Sequence, residues 1–211
     1  MRFHILTLFP ESLESYLSSS LIKRAQAKKF FSVSLVDQRV YTKDKHHKAD
    51  DKPYGGGPGM VLKVEPIVRA VEHAIGKKQG SKKIIILSPR GKQFTQTKAR
   101  SLARYDDIVL IAGHYEGIDA RVKKILKAEE LSIGPYTLTG GELPALIIME
   151  AVARYIPGVL GKGESLEERR ITNGEVYTRP EVLLHKGKNY RVPKVLLSGD
   201  PKKIDEYRSR D

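Results

Sequence analysis

Apolar residues recur along the first 160 positions in two alternating rhythms. Short runs rich in β-branched and aromatic residues fall at 3–9, 31–36, 83–87, 108–112 and 131–133. Each has strand length and is bounded by polar or turn-forming residues, so each predicts a strand. Between them the spacing changes to three and four. Leu13, Tyr16, Leu17, Leu21 and Ala25 predict one helix over 11–29. Further helices are predicted over 65–75, 94–104, 119–126 and 143–155, the last ended by Pro157-Gly158. Pro66 suits a first helical turn, where its missing N–H costs nothing. Strands that alternate with helices and are apolar on both faces predict an α/β fold, a parallel sheet flanked by helices.

Ligands of such sheets sit beyond the carboxyl ends of the strands. Three segments fall there: Ser88-Pro89-Arg90-Gly91, Gly113-His114-Tyr115-Glu116-Gly117, and the stretch from Gly134-Pro135-Tyr136 to Gly140-Gly141-Glu142. Each carries Gly or Pro, and together they predict a cleft. None has the glycine spacing of a dinucleotide or triphosphate cradle. A nucleoside-like small molecule held by backbone groups fits better. A fourth segment, DDKPYGGGPGM from Asp50 to Met60, closes a long loop over 41–60. Its glycines permit close approach and its prolines stiffen it. It is either a tight structural turn or a wall against a flat ligand.

Composition adds charge. The 211 residues carry a formal net charge of +13 and no cysteine, so disulfide and thiolate chemistry are excluded. Nine Lys or Arg and no Asp or Glu lie between positions 75 and 104, which points to a polyanion such as nucleic acid. No apolar run approaches the ~20 residues that span a bilayer. The amino terminus lacks a signal-peptide pattern, which fits a cytoplasmic location without a membrane partner. His46-His47 lacks companion ligands and reads as a polar loop, so no metal site is assigned.

These motifs, with Ser132 to Pro144, Arg154 to Gly161 and Tyr177-Thr178-Arg179-Pro180-Glu181, resemble the bacterial tRNA (guanine-N1)-methyltransferases. That family belongs to the knotted S-adenosylmethionine-dependent (SPOUT) superfamily. The resemblance runs in order from Met1 to about Tyr207. It implies methyl transfer from S-adenosylmethionine to N1 of the guanosine on the 3′ side of the tRNA anticodon. It also implies a deep trefoil knot in the C-terminal part of the α/β domain, and a homodimer with each active site at the subunit interface. The implied domains are a methyltransferase domain over 1–161, a linker and active-site loop over 162–189, and a short helical stub of a tRNA-binding domain over 190–211.

By the same resemblance, Ser88, Pro89, Gly113, Tyr115, Glu116, Ile133, Gly134, Pro135, Tyr136, Thr137, Leu138, Gly140, Gly141 and Pro144 hold the cofactor. Asp50, Tyr54, Pro58 and Gly59 meet the guanine, a base that must be flipped into its slot. Arg154 meets guanine O6 and stabilises charge as N1 loses its proton; its plain alternative is an ion pair with Glu150 one helical turn back. Methylation at N1 needs a general base. The family usually supplies an Asp in the loop after Gly161, and this chain has none there. Glu168, with Glu167 next, is the nearest carboxylate, and its alternative is a solvated loop charge. His114 stands where an Arg is common. The family's chemistry usually depends on Mg2+. The chain also ends earlier than the family's longer helical tail. A second reading is an RNA-binding homologue that keeps the cofactor pocket and has weak or no catalysis.

Overall fold

A computed structural model describes residues 1–77, 79–160 and 175–209. The chain divides into two compact units, Met1–Leu160 and Gly161–Asp211.

In the first unit, β1 (Arg2–Thr7), β2 (Ser32–Asp37), β5 (Lys82–Gln93), β6 (Asp107–Ala112) and β7 (Glu129–Ser132) form one sheet in the order β2-β1-β6-β5-β7. Every pairing in it is parallel. Two short strands, β3 (Asp50–Asp51) and β4 (Val61–Leu62), pair antiparallel beside it. The period of two sorts the side chains between two cores. Phe3, Ile5, Ile85, Leu87, Ile108 and Leu110 face α1 (Glu11–Leu17), α2 (Ser20–Ala27), α4 (Gln96–Leu102) and α6 (Glu142–Ala153). Leu6, Ile86, Val109 and Ile111 face α3 (Val64–Ile75) and α5 (Arg121–Leu126). The result is three layers, with helices on both faces of the sheet.

The helix expected over 11–29 is two. Ser18 and Ser19 turn their hydroxyls back to the Ser15 carbonyl, at 3.2 and 2.5 Å. Such bonds compete with the helical ladder. Ser19 is extended and the chain restarts as α2. The strand expected over 83–87 is longer, because β5 resumes after an excursion. Leu131 pairs with Leu87 and again with Lys92, so residues 88–91 bulge from a continuous strand. A Cβ at Gly91 would lie 2.6 Å from the backbone of Glu130 and Leu131, so glycine lets the returning chain close on β7.

The amino end of the sheet is fixed by charge. Asp107, fully buried, accepts two hydrogen bonds from Arg2, each 2.6 Å, and lies 3.0 Å from His4 Nε2. The Arg2 hydrogen bonds lower its carboxyl to about 2 against an ordinary 3.8, with His4 adding to the shift and burial opposing it.

The second unit holds a hairpin of β8 (Val182–His185) and β9 (Lys188–Arg191), a 3-10 turn (Lys194–Leu197) and α7 (Pro201–Arg208). Asp200 caps α7, accepting from the Lys202 and Lys203 N–H groups. The boundary expected between 189 and 190 runs through this hairpin, where Asn189 and Tyr190 pair with Leu184 and Leu183.

Candidate functional site

A cleft of about 770 Å³ opens beyond the carboxyl ends of β5, β6 and β7. That volume suits a nucleoside-sized ligand. Its walls are the excursion from β5, the loop after β6, and the loop from β7 into α6. Of the residues expected to hold a cofactor, Ser88, Pro89, Gly113, Tyr115, Glu116, Ile133, Tyr136, Thr137, Leu138, Gly140, Gly141 and Pro144 all line it. Gly134 and Pro135 are outside the lining. Gly134 turns inward, its N–H and carbonyl both bonded to the Ser132 hydroxyl, and leaves room for the Tyr136 ring. Tyr115, Tyr136 and Leu138 expose apolar surface around the opening, a setting suited to a purine face.

Backbone contacts hold the walls together. The Gly141 N–H bonds the Gly113 carbonyl at 2.9 Å, and a Cβ on Gly141 would lie 2.6 Å from Ala112 Cα. Only a glycine lets these two loops meet. Tyr115 is left-handed, with φ 57°, which turns the chain at the cleft edge.

The Gly-Pro loop docks on the same wall. Met60 and Leu62 exchange backbone hydrogen bonds with Glu116, Gly117 and Asp119, at 2.9 to 3.1 Å. Gly59, at φ 79°, packs where a Cβ would fall 2.5 Å from Glu116 Oε1. Of the residues expected to meet a base, Gly59 therefore touches a cleft residue. Asp50 pairs with Leu62 in the β3–β4 ribbon, Tyr54 is wholly exposed, and Pro58 is exposed beside Gly59. Arg154 is half-buried at the carboxyl end of α6, where its N–H bonds the Glu150 carbonyl at 3.2 Å. The Glu150 carboxylate accepts the Tyr16 hydroxyl, which pushes that phenol up to about 12. Glu167 and Glu168 lie outside the described residues.

Arg90, in a segment expected there, lines the cleft. Sequence reading missed Lys123 and Glu130, which line it as an ion pair 2.7 Å apart. Their residue types alone gave no signal, because surface helices and strand ends carry such charges routinely. The basic residues of the acid-free stretch over 75–104 are divided between settings. Lys83 and Lys98 converge on Glu129, at 2.6 and 2.7 Å, while Arg90 stands at the cleft. Among the described residues, no three His, Cys, Asp or Glu side chains form a metal-binding group.

A parallel α/β layer structure with a nucleoside-sized cleft walled by glycine loops, and no phosphate cradle, defines a domain built to hold a nucleoside-like ligand. The family model described as tRNA (Guanine-1)-methyltransferase TrmD matches residues 1–211, and the chain belongs to that family. Among its relatives is a tRNA (guanine-N(1)-)-methyltransferase of Carboxydothermus hydrogenoformans, 48% identical over all of this chain and 82% of the relative. Proteins of the same name from Clostridioides difficile and Thermomicrobium roseum are 44% and 48% identical. They are matched over 100% and 99% of this chain, and over 92% and 77% of their own lengths.

Proposed function

We propose that the chain is a tRNA (guanine-N1)-methyltransferase that uses S-adenosylmethionine in the cleft and methylates the guanosine 3′ of the anticodon. The observation that carries the reading is the meeting of three glycine-bearing loops around one nucleoside-sized cleft. S-adenosylmethionine supplies an electrophilic methyl on a sulfonium. The backbone of Gly113, Gly140 and Gly141 offers N–H and C=O groups to an adenine edge, and Tyr115, Tyr136 and Leu138 offer apolar cover.

In the chemistry proposed, guanine N1 gives its proton to a base and attacks the methyl carbon. The N–C bond forms as the C–S bond breaks, and the sulfur leaves as a neutral thioether. Glu168 is the proposed base. Arg154 is the proposed partner of O6, where negative charge gathers as the N1 proton departs. Pro58 and Gly59, with Asp50 and Tyr54 nearby in the chain, are the proposed wall of the guanine slot; the support is that Gly59 abuts Glu116 at the cleft. No step of this reading passes through Mg2+.

The same reading includes a homodimer with its active site at the interface, the family's trefoil knot, and action in the cytoplasm. The dimer is supported by Leu143 and Ile147, which are exposed, at 62% and 46%, on a helix whose other residues are buried or half-buried. They share a helical face with Arg154, so a second copy seated there would reach the proposed catalytic arginine. Among the described residues no helix is long and apolar enough to cross a membrane.

The test is transfer of a radiolabelled methyl group to tRNA transcripts with guanosine or adenosine 3′ of the anticodon. Incorporation into the guanosine transcript alone, mapped to N1, is expected. Equal incorporation into both would overturn the reading.

A further inference from the structure

Three side chains that the proposed reaction leaves unused, Thr7 and Glu142 beside the cleft and His114 in its wall, are joined end to end. Thr7, fully buried at the carboxyl end of β1, donates its hydroxyl to Glu142 Oε1 at 2.6 Å and accepts the Phe9 N–H at 2.9 Å. A backbone N–H can only donate, so the Thr7 proton is committed to the carboxylate. The other Glu142 oxygen lies 3.4 Å from His114 Nε2, with the two side chains 13% and 19% exposed. Gly140 lies directly over this contact, since a Cβ there would collide with both Glu142 Oε2 and His114 Nε2. His114 and Gly140 are also bridged through their backbones. The His114 ring packs edge-on against Phe9 and Tyr115, at 5.0 and 5.4 Å between centroids.

Holding a carboxylate here carries a desolvation cost. Its place in the first turn of α6 and the bond from Thr7 offset that cost. The start of α6 does not need it for shape, because the Ala145 N–H already closes that turn on the Gly141 carbonyl at 2.9 Å. What the carboxylate adds is a lateral tie from the sheet to both glycine loops.

We infer that Thr7, Glu142 and His114 act as one positioning relay, which fixes the loop after β6 against the loop before α6 and so sets the shape of the cofactor-binding floor. The inference rests on the reading that this cleft binds S-adenosylmethionine. Thr7 and Glu142 touch no reacting atom; they act through His114 and Gly140. Because the first two members are coupled, cutting the chain once removes the effect.

The experiment is calorimetric titration of the full chain with S-adenosylmethionine, alongside melting of the unliganded protein. Thr7→Val keeps the shape and removes the donor, and it is expected to weaken binding roughly tenfold, while Thr7→Ser stays within about twofold of the wild type. Adding Thr7→Val to Glu142→Ala is expected to cause no loss beyond about twofold over Glu142→Ala alone. In turnover, KM for S-adenosylmethionine rises while kcat at saturation holds. A folded Thr7→Val protein with unchanged affinity, or losses that multiply in the double variant, overturns the relay. If Thr7→Val does not fold, Glu142→Gln, outside the cleft lining, carries the same test by removing the charge that holds Thr7 and His114: a rise in KM supports the relay and unchanged KM sinks it. Failure of the wild type to bind S-adenosylmethionine is a different result, and it removes the functional reading itself.

Discussion

Gly56 and Gly59 offer a matched pair for testing whether the Gly-Pro loop acts on the cleft. Their φ angles are 78° and 79°. An alanine in this left-handed region costs about 1 kcal/mol at either site. Their surroundings differ. At Gly56 a Cβ meets nothing within 4 Å, whereas at Gly59 it meets Glu116 Oε1, Cγ and Cδ at 2.5, 2.6 and 2.9 Å. To restore an ordinary separation of about 3.5 Å, the Glu116 side chain must move by roughly 1 Å. The backbone cannot simply retreat, because the Glu116 N–H is held by the Met60 carbonyl at 3.0 Å. Forcing the side chain from its rotamer costs about 1 kcal/mol. Since Glu116 lines the cleft, that cost becomes a loss of about fivefold in cofactor affinity. The assay is calorimetric titration with S-adenosylmethionine beside thermal melting of both variants. Both are expected to melt a few degrees below the wild type, and only Gly59→Ala is expected to bind more weakly. Equal affinity losses in the two variants, or none in Gly59→Ala, would refute the idea that this loop shapes the cleft through Glu116.

Other outcomes follow from the same geometry. Gly141→Ala places its Cβ against the backbone of Ala112 and Gly113, which cannot swing aside. It should lower stability by about 1–3 kcal/mol and abolish measurable methyl transfer, read by denaturant titration and the tRNA assay. Asp107 has a folded pKa of about 2 against an ordinary 3.8, so its stabilisation is complete above about pH 5 and drains away as pH falls towards 2. The amount is about 2 kcal/mol, and urea titrations between pH 7 and 2 should show Asp107→Asn losing that part of the acid dependence. Ile147→Glu puts a charge on the exposed apolar face of α6 and should give a monomer with no methyl transfer by light scattering and the tRNA assay; a dimer that stays active would move the interface elsewhere.

The central strands were the most legible, because β1 and β6 are buried on both faces and their apolar runs are nearly unbroken. The cleft loops were legible because glycine is needed wherever one backbone passes close to another, as at Gly91 and Gly141. The break in the first helix was not, since a row of three serines is neutral until their hydroxyls find a carbonyl. The long acid-free stretch pointed to a polyanion, in keeping with the family, but not to how its charges pair, because charge was counted along the chain. Its acid, Glu129, arrives from another strand. The Thr7–Glu142 bond spans 135 positions and the Arg2–Asp107 bond 105. Neither leaves a local mark, and both depend on which strand ends the topology brings together.

The double use of Leu131 has a consequence for how this site changes over evolutionary time. One residue of β7 receives β5 both before and after residues 88–91, so the two anchor points of that excursion are the same place. A segment hung from a single place can gain or lose residues at Pro89 or Arg90 without sliding either strand along its neighbour. The sheet is thereby insulated from length changes in one wall of the cleft. Selection can lengthen, shorten or recharge that wall to suit a different ligand while the five strands, and the two cores they divide, keep their register.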